Sequence, residues 1–323
     1  MNYKNLLLTT ALGMAMTSPA LAGSFVIDVD QDFSGNSSTQ TGEIDTLGTS
    51  NTLASSFYLG DPNTAGTQFV DTNLESSMDG FGFSEGNFTA IDGESSVSLK
   101  YPDDVADKNV VNLNFVSGVG GTQANNGFSS DEWFYDDTGW GLTFDYEIQG
   151  EVYETDNGDL SIRYTDGFFD TYFEDGASGD RTKVMRMDVE GSVIQAANLD
   201  IMGKVSFDDE WADNEFVRNF FIDHESGESF YDIASEEGGA GIPISWRLDT
   251  NVDPPIPTAD QLVELESGAL VRQTQLNSTV RYEVPEPGML ILLGTGLLFL
   301  GFIAIRGRRQ TNDNNLRAQV PQV

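Results

Sequence analysis

The sequence predicts a mainly β fold, an antiparallel β-sandwich of the jelly-roll type. Three observations predict it. Short runs alternate apolar with polar residues, turn residues are dense, with 34 glycines in 323 residues, and helical periodicity is scarce. Regular strands between glycine-rich turns are the mark of a sandwich rather than of a helical or α/β domain.

In chain order, Phe25–Val29 is the first expected strand. Ser34–Pro62 reads as a polar, loop-rich front section. Ser95–Lys100 and Val110–Val116 are further strands. Trp140, Leu142, Phe144, Tyr146 and Ile148 alternate with Gly141, Thr143, Asp145, Glu147 and Gln149, which is the pattern of a half-buried strand. Glu151–Thr155 and Leu160–Tyr164 flank Asp156-Asn157-Gly158-Asp159, where Asn157-Gly158 suits a type I′ hairpin turn. Met185, Met187 and Val189 alternate with charged residues and read as core. Ile201–Phe207 and Leu276–Val284 complete the strands. Asp213–Phe221 and Thr258–Glu266 are the two helical candidates. Asn251–Thr258, with Pro254, Pro255 and Pro257, reads as a stiff connector. One secreted β-rich domain over 23–283 accounts for all of these elements.

Composition narrows the function. The chain carries 52 acidic and 16 basic side chains, a net charge of −36. Such a surface repels nucleic acid and attracts divalent cations. There is no cysteine, so neither disulfides nor thiolate chemistry contributes, and stability must come from core burial.

Catalytic constellations are not what the sequence advertises, and no enzyme is expected. His224 is the single histidine and sits in the polar stretch Asp223–Glu228, which reads as surface. Paired carboxylates, as glycoside hydrolysis needs, arise by chance among so many acids, so a polysaccharide-acting hydrolase is the alternative reading only. Asp28, Asp30 and Asp32 have the spacing that opens a Ca²⁺ loop. Phe33 and Thr39 stand where an EF-hand needs Gly and Glu, so any Ca²⁺ would bind on one face of a strand instead. Asp136-Asp137 and Asp208-Asp209-Glu210 are similar acidic clusters, and Trp133, Phe134 and Tyr135 could stack on sugars.

The two ends carry processing signals. Lys4, an apolar stretch from Leu6 to Met16 and small residues at Ala20 and Ala22 describe a secretory signal peptide over 1–22. At the other end Gly288–Ile305 is a stretch of 18 residues without charge. As a helix it would be about 27 Å long, close to a hydrocarbon core of about 30 Å. Pro285 and Pro287 precede it, and Arg306, Arg308 and Arg309 follow on the side expected to stay cytoplasmic. A polar cytoplasmic tail, 310–323, comes last.

Pro285-Glu286-Pro287, an adjoining apolar span and an adjoining arginine cluster resemble the PEP-CTERM sorting signal of Gram-negative bacteria. The resemblance covers 284–309. It implies export across the inner membrane, recognition of Pro285, Glu286 and Pro287 by exosortase, and removal of the span, leaving the body at the cell surface or in the extracellular matrix. A permanently membrane-anchored ectodomain is the alternative. Asp249–Pro255 and Arg272–Ser278, ahead of the signal, resemble the flocculation-associated members of that group. This second resemblance implies an interaction protein of the exopolysaccharide matrix that supports cell aggregation, with no catalytic residues and no nucleic-acid partner.

Overall fold

The structure is a computed structural model. It describes residues 24–31, 38–44, 46–102, 110–112, 140–195, 198–208, 210–236, 241–249 and 256–282. The strands of its main sheet are β2 (Leu47–Tyr58), β3 (Gln68–Thr72), β6 (Val110–Asn112), β7 (Trp140–Glu154), β8 (Leu160–Asp175), β9 (Arg181–Gln195), β10 (Asn198–Ser206), β12 (Ile242–Asp249), β13 (Val263–Glu264) and β14 (Leu270–Tyr282). Two further pairs stand apart: β1 (Phe25–Ile27) with β11 (Phe221–Asp223), and β4 (Gly86–Thr89) with β5 (Ser96–Leu99).

The expected two-sheet sandwich is replaced by one sheet that closes on itself. Its ladders run from β2 through β3, β7, β8, β9, β10, β12 and β14, and β14 pairs again with β2. Every ladder is antiparallel, so this is an up-and-down barrel of eight staves. The short β6 lies between β2 and β7 beyond the reach of β3 and extends the same stave. Closure removes the sheet edges that a sandwich would have to protect.

Bulges bend the staves enough to close. The register shifts between Gln149 and Gly150, Met202 and Gly203, Thr171 and Tyr172, and Leu276 and Ser278. Two of these shifts fall at glycines that admit no side chain. A Cβ on Gly203 would lie 2.1 Å from the Asp188 carbonyl oxygen, and one on Gly150 would lie 2.4 Å from that of Arg163.

The alternation expected along Trp140–Ile148 is present and continues to Val152 on one strand, with Leu142, Phe144, Tyr146, Ile148 and Val152 buried. Met185, Met187 and Val189 are buried as expected. The interior is aromatic: Phe169 stacks on Trp246 at 4.2 Å and on Tyr146 at 5.3 Å, and Phe144 meets Trp246 edge-on at 4.8 Å. The outward positions of β7, namely Thr143, Asp145, Glu147, Gln149 and Glu151, are polar. That is the reverse of a lipid-facing barrel, which turns its apolar residues outward. No described helix is long and apolar enough to cross a membrane. The apolar stretch 288–305, the leader 1–22 and the tail 310–323 lie outside the described residues.

One end of the barrel is capped. Phe25, Phe221 and Phe230, from β1, β11 and the helix Phe230–Ser235, pack on Tyr282 at the end of β14, with ring centroids 5.0–6.2 Å apart. A second apolar cluster covers the outer face of β2 and β14, where Phe57, Val263 and Val271 meet Met78, Phe83 and Leu99.

Several local expectations change. Ser34–Pro62 is not a loop section, because it contains the twelve-residue β2. The turn at Asn157-Gly158 is not type I′. Only Gly158 has positive φ, and the amide of Gly158 bonds the carbonyl of Thr155 while that of Thr155 bonds the carbonyl of Asp159. This is a three-residue hairpin loop with glycine in the left-handed position. Thr258–Glu266 is a single 3-10 turn, Ala259–Gln261, followed by β13. Asp213–Phe221 holds one four-residue helix, Glu215–Arg218, capped by Asn214. Leu276–Val284 falls on the second half of a strand that runs from Leu270 to Tyr282, and its last two residues lie outside the described residues. Val110–Val116 is described only over Val110–Asn112.

Candidate functional site

Three places bear on function: the groove beside Asp28, the barrel interior, and the exit of β14. Asp28 and Asp30 do not share one strand face. β1 ends at Ile27, Asp28 makes a lone bridge to Gln40, and Asp30 turns into the left-handed region at φ 54°. The Asp28 carboxylate accepts from the Asp30 amide at 3.0 Å and from Gln40 Nε2 at 2.9 Å. With Glu215, Phe216 and Asn219 the two aspartates line an open polar groove of about 260 Å³. Asp32 lies outside the described residues. Among the described residues no group of three or more acids or histidines is arranged to hold a metal.

The other acidic and aromatic candidates divide in the same way. Asp208 accepts from the Glu210 amide at 2.9 Å in an exposed turn, which uses its carboxylate locally. Asp209, Asp136, Asp137 and the aromatic trio Trp133, Phe134 and Tyr135 lie outside the described residues. His224 is exposed, as expected, with its Nε2 3.6 Å from Glu43.

A Gly-x-Ser-x-Gly motif, expected to be absent, is present as Gly82-Phe83-Ser84-Glu85-Gly86, the spacing of a nucleophile elbow. That motif works at a sharp strand-to-helix turn. Here the order is reversed, since the segment leads from the helix Glu75–Gly80 into β4. Phe83 is buried in the outer cluster and Ser84 is exposed. The glycines serve a turn, with positive φ at Gly82 and Gly86.

Inside the barrel the sequence reading missed an acid. Asp71 on β3 points inward, opposite Ile148 of β7 and Ser56 of β2. It lines a cavity of about 30 Å³ together with Phe144, Tyr146, Tyr164, Trp246 and Ser278. The Tyr164 hydroxyl donates to Asp71 Oδ2, while Oδ1 has no hydrogen-bond partner. Burial pushes the Asp71 carboxyl above its ordinary range; Ser56, Tyr164 and Arg272 oppose the rise. Ser56 lies near enough to oppose it but does not complete a hydrogen bond to Oδ1. Burial likewise drives the hydroxyls of Tyr146 and Tyr164 far up, and Asp71 adds to both.

The third place is where the chain leaves. β14 closes the barrel and ends at Tyr282, fully buried in the capped end. The model of the PEP-CTERM protein-sorting motif matches residues 283–309, beginning at the next residue. The chain carries a PEP-CTERM sorting motif. Its presence implies exosortase-dependent processing and sorting to the surface of a Gram-negative cell. The match spans Pro285, Glu286, Pro287, Arg306, Arg308 and Arg309, which lie outside the described residues, as do Ala20 and Ala22 of the leader. No curated protein and no solved structure matches the chain.

Proposed function

We propose that the chain is an exported barrel protein, delivered to the cell surface by its PEP-CTERM motif, that serves as an interaction component of the extracellular polysaccharide matrix and supports cell aggregation. The observation that carries this reading is the junction at Tyr282: the strand that closes the barrel runs directly into the sorting motif. The whole body is therefore the cargo. A closed, aromatic-filled barrel with a polar exterior suits display in water. Its cavity presents one carboxylate among the described residues, Asp71, where glycoside hydrolysis needs two facing acids.

The acidic exterior supplies the means of contact in this reading. Ca²⁺ bridges between protein carboxylates and anionic glycans are individually weak, but many copies on one surface raise avidity by about 10²–10⁴.

A deletion strain should make normal amounts of polysaccharide yet settle poorly, and added purified protein should restore clumping in a Ca²⁺-dependent way. Normal settling, or release of sugars from the matrix by the purified protein, would overturn the reading. Intact mass of the surface form tests the processing. A chain that starts at Gly23 and lacks the span fits exosortase processing, and one that retains the span fits permanent anchoring.

A further inference from the structure

An asparagine followed by glycine is a chemically labile unit. Glycine puts no side chain in the way when its own backbone nitrogen attacks the asparagine amide, and its backbone is free to adopt the geometry of attack. Two such pairs occur in the chain. Asn126-Gly127 lies outside the described residues. Asn157-Gly158 is the tip of the hairpin loop between β7 and β8, and both residues are exposed, as are Asp156 and Asp159 beside them. Gly158 stands in the left-handed region at φ 83°, and beyond its chain neighbours a Cβ placed on it would meet nothing nearer than Glu154 Oε1 at 3.9 Å. A single bond of 2.9 Å, to the Thr155 carbonyl, occupies the Gly158 amide. Bonds of exposed loops are the first to open in a folded chain. Every other described asparagine precedes a residue with a side chain. Some are also locked: Asn73 Nδ2 donates to the Phe144 carbonyl at 2.9 Å while its Oδ1 accepts from the Tyr146 amide at 2.6 Å, and Asn214 Oδ1 accepts from the Val217 amide at 2.9 Å.

We propose that Asn157 is a site of spontaneous modification, at which the folded protein converts its side-chain amide to aspartate and isoaspartate through a cyclic imide with Gly158. The Gly158 nitrogen gives up its proton to hydroxide and attacks Asn157 Cγ. The N–Cγ bond forms, the Cγ–Nδ2 bond breaks, and Nδ2 takes a proton and leaves as ammonia. Water then opens the imide. Attack at Cγ restores the original backbone with an aspartate at 157. Attack at the backbone carbonyl carbon breaks the original peptide bond and leaves the chain running through Cγ, an isoaspartate. No electrons are exchanged with an outside reagent. The loop can take the longer isoaspartyl backbone because the β7–β8 ladder closes outside it, at Glu154 and Leu160. Either product adds a carboxylate between Asp156 and Asp159, so each converted copy is more acidic at this hairpin.

Peptide mapping by mass spectrometry, with fragmentation that separates aspartate from isoaspartate, tests the proposal. Purified protein is incubated folded in mildly alkaline buffer, with a second sample held unfolded in urea as the reference. In the folded sample the peptide holding Asn157 should gain the mass of an amide-to-acid exchange and split into both products, faster at higher pH, while the peptides holding Asn73 and Asn214 stay unchanged. An Asn157 that converts in urea but stays intact in the folded protein would overturn the proposal, because the loop would then be protecting it. Aspartate without isoaspartate would also overturn it, since direct hydrolysis passes through no imide. Gly158→Ala should slow the conversion several-fold. This variant also strains the left-handed position, so the comparison is made in urea, where unchanged conversion would rule out attack by the backbone nitrogen.

Discussion

Asp71 on the inner face and Asp170 on the outer face are almost equally buried, at 6% and 5% exposure, yet their surroundings are opposite. Asp170 on β8 is held by the Arg186 guanidinium through two bonds of 2.6 and 2.7 Å and by Lys183 at 2.9 Å, both from β9. Arg186 lies in turn over the ring of Phe168, and Lys183 over that of Trp211. Asp71 has a phenol on one oxygen and nothing on the other. The difference follows from strand geometry. An outward side chain meets long, flexible cations from its neighbours, whose heads can bend to any acid. An inward one meets only what the walls carry, and in this barrel those are mostly rings and aliphatic groups, with Ser56 and Arg272 the polar neighbours that oppose the rise of the Asp71 carboxyl. In a chain this acidic, the outer face uses its few bases to shield individual carboxylates.

The strongest way to break the contrast is Asp170→Ala. It strips Arg186 and Lys183 of a shared counter-ion in a half-buried place, and the expected loss is about 3 kcal/mol, read as a lower urea midpoint. The Asp170 bond that favours the charged Arg186 would go with it. Gly203→Ala attacks closure instead. The new methyl meets the Asp188 carbonyl, and overpacking of this kind costs about 2 kcal/mol. Loss of near-ultraviolet dichroism from the packed rings would report it.

A sharper probe is the pH dependence of stability. The native carboxyl of Asp71 lies above its ordinary value of 3.8. A raised acid contributes stability that is complete below 3.8 and is lost as pH rises through the native value. Urea midpoints should therefore decline over that window in the wild type relative to Asp71→Asn, which lacks the titration. Parallel curves would mean that Asp71 is not raised. The smallest effect belongs to the exposed pair Lys204–Glu190, 2.9 Å apart with both side chains about half exposed. Lys204→Ala should shift stability by less than about 0.5 kcal/mol.

Legibility divides along the same line. β7 could be read from sequence because its inner residues are all apolar and its outer ones polar. β12 carries as good a signal in Ile242, Ile244, Trp246 and Leu248, but Pro243 obscured it. That proline falls before the β14 ladder begins at Ile244, so its missing amide is tolerated there. β3 was hidden by Asp71 itself, an acid at an inward position. β2 was hidden by its serines and threonines, which resemble a loop yet pair along nearly their whole length with β14. The closed barrel was not legible at all. Closure depends on one long-range pairing between the first and last staves, and no local pattern encodes it. The sorting motif was fully legible because its parts are contiguous and are read as sequence by another protein.

The strand at the exit also has a mechanical meaning. β14 is bonded along one side to β2 from Leu270 to Val280 and along the other to β12 from Ser278 to Tyr282. A pull directed along β14 would load many bonds of both ladders together, so the two ladders would slide rather than peel. A strand held on both sides in this way is a shear clamp.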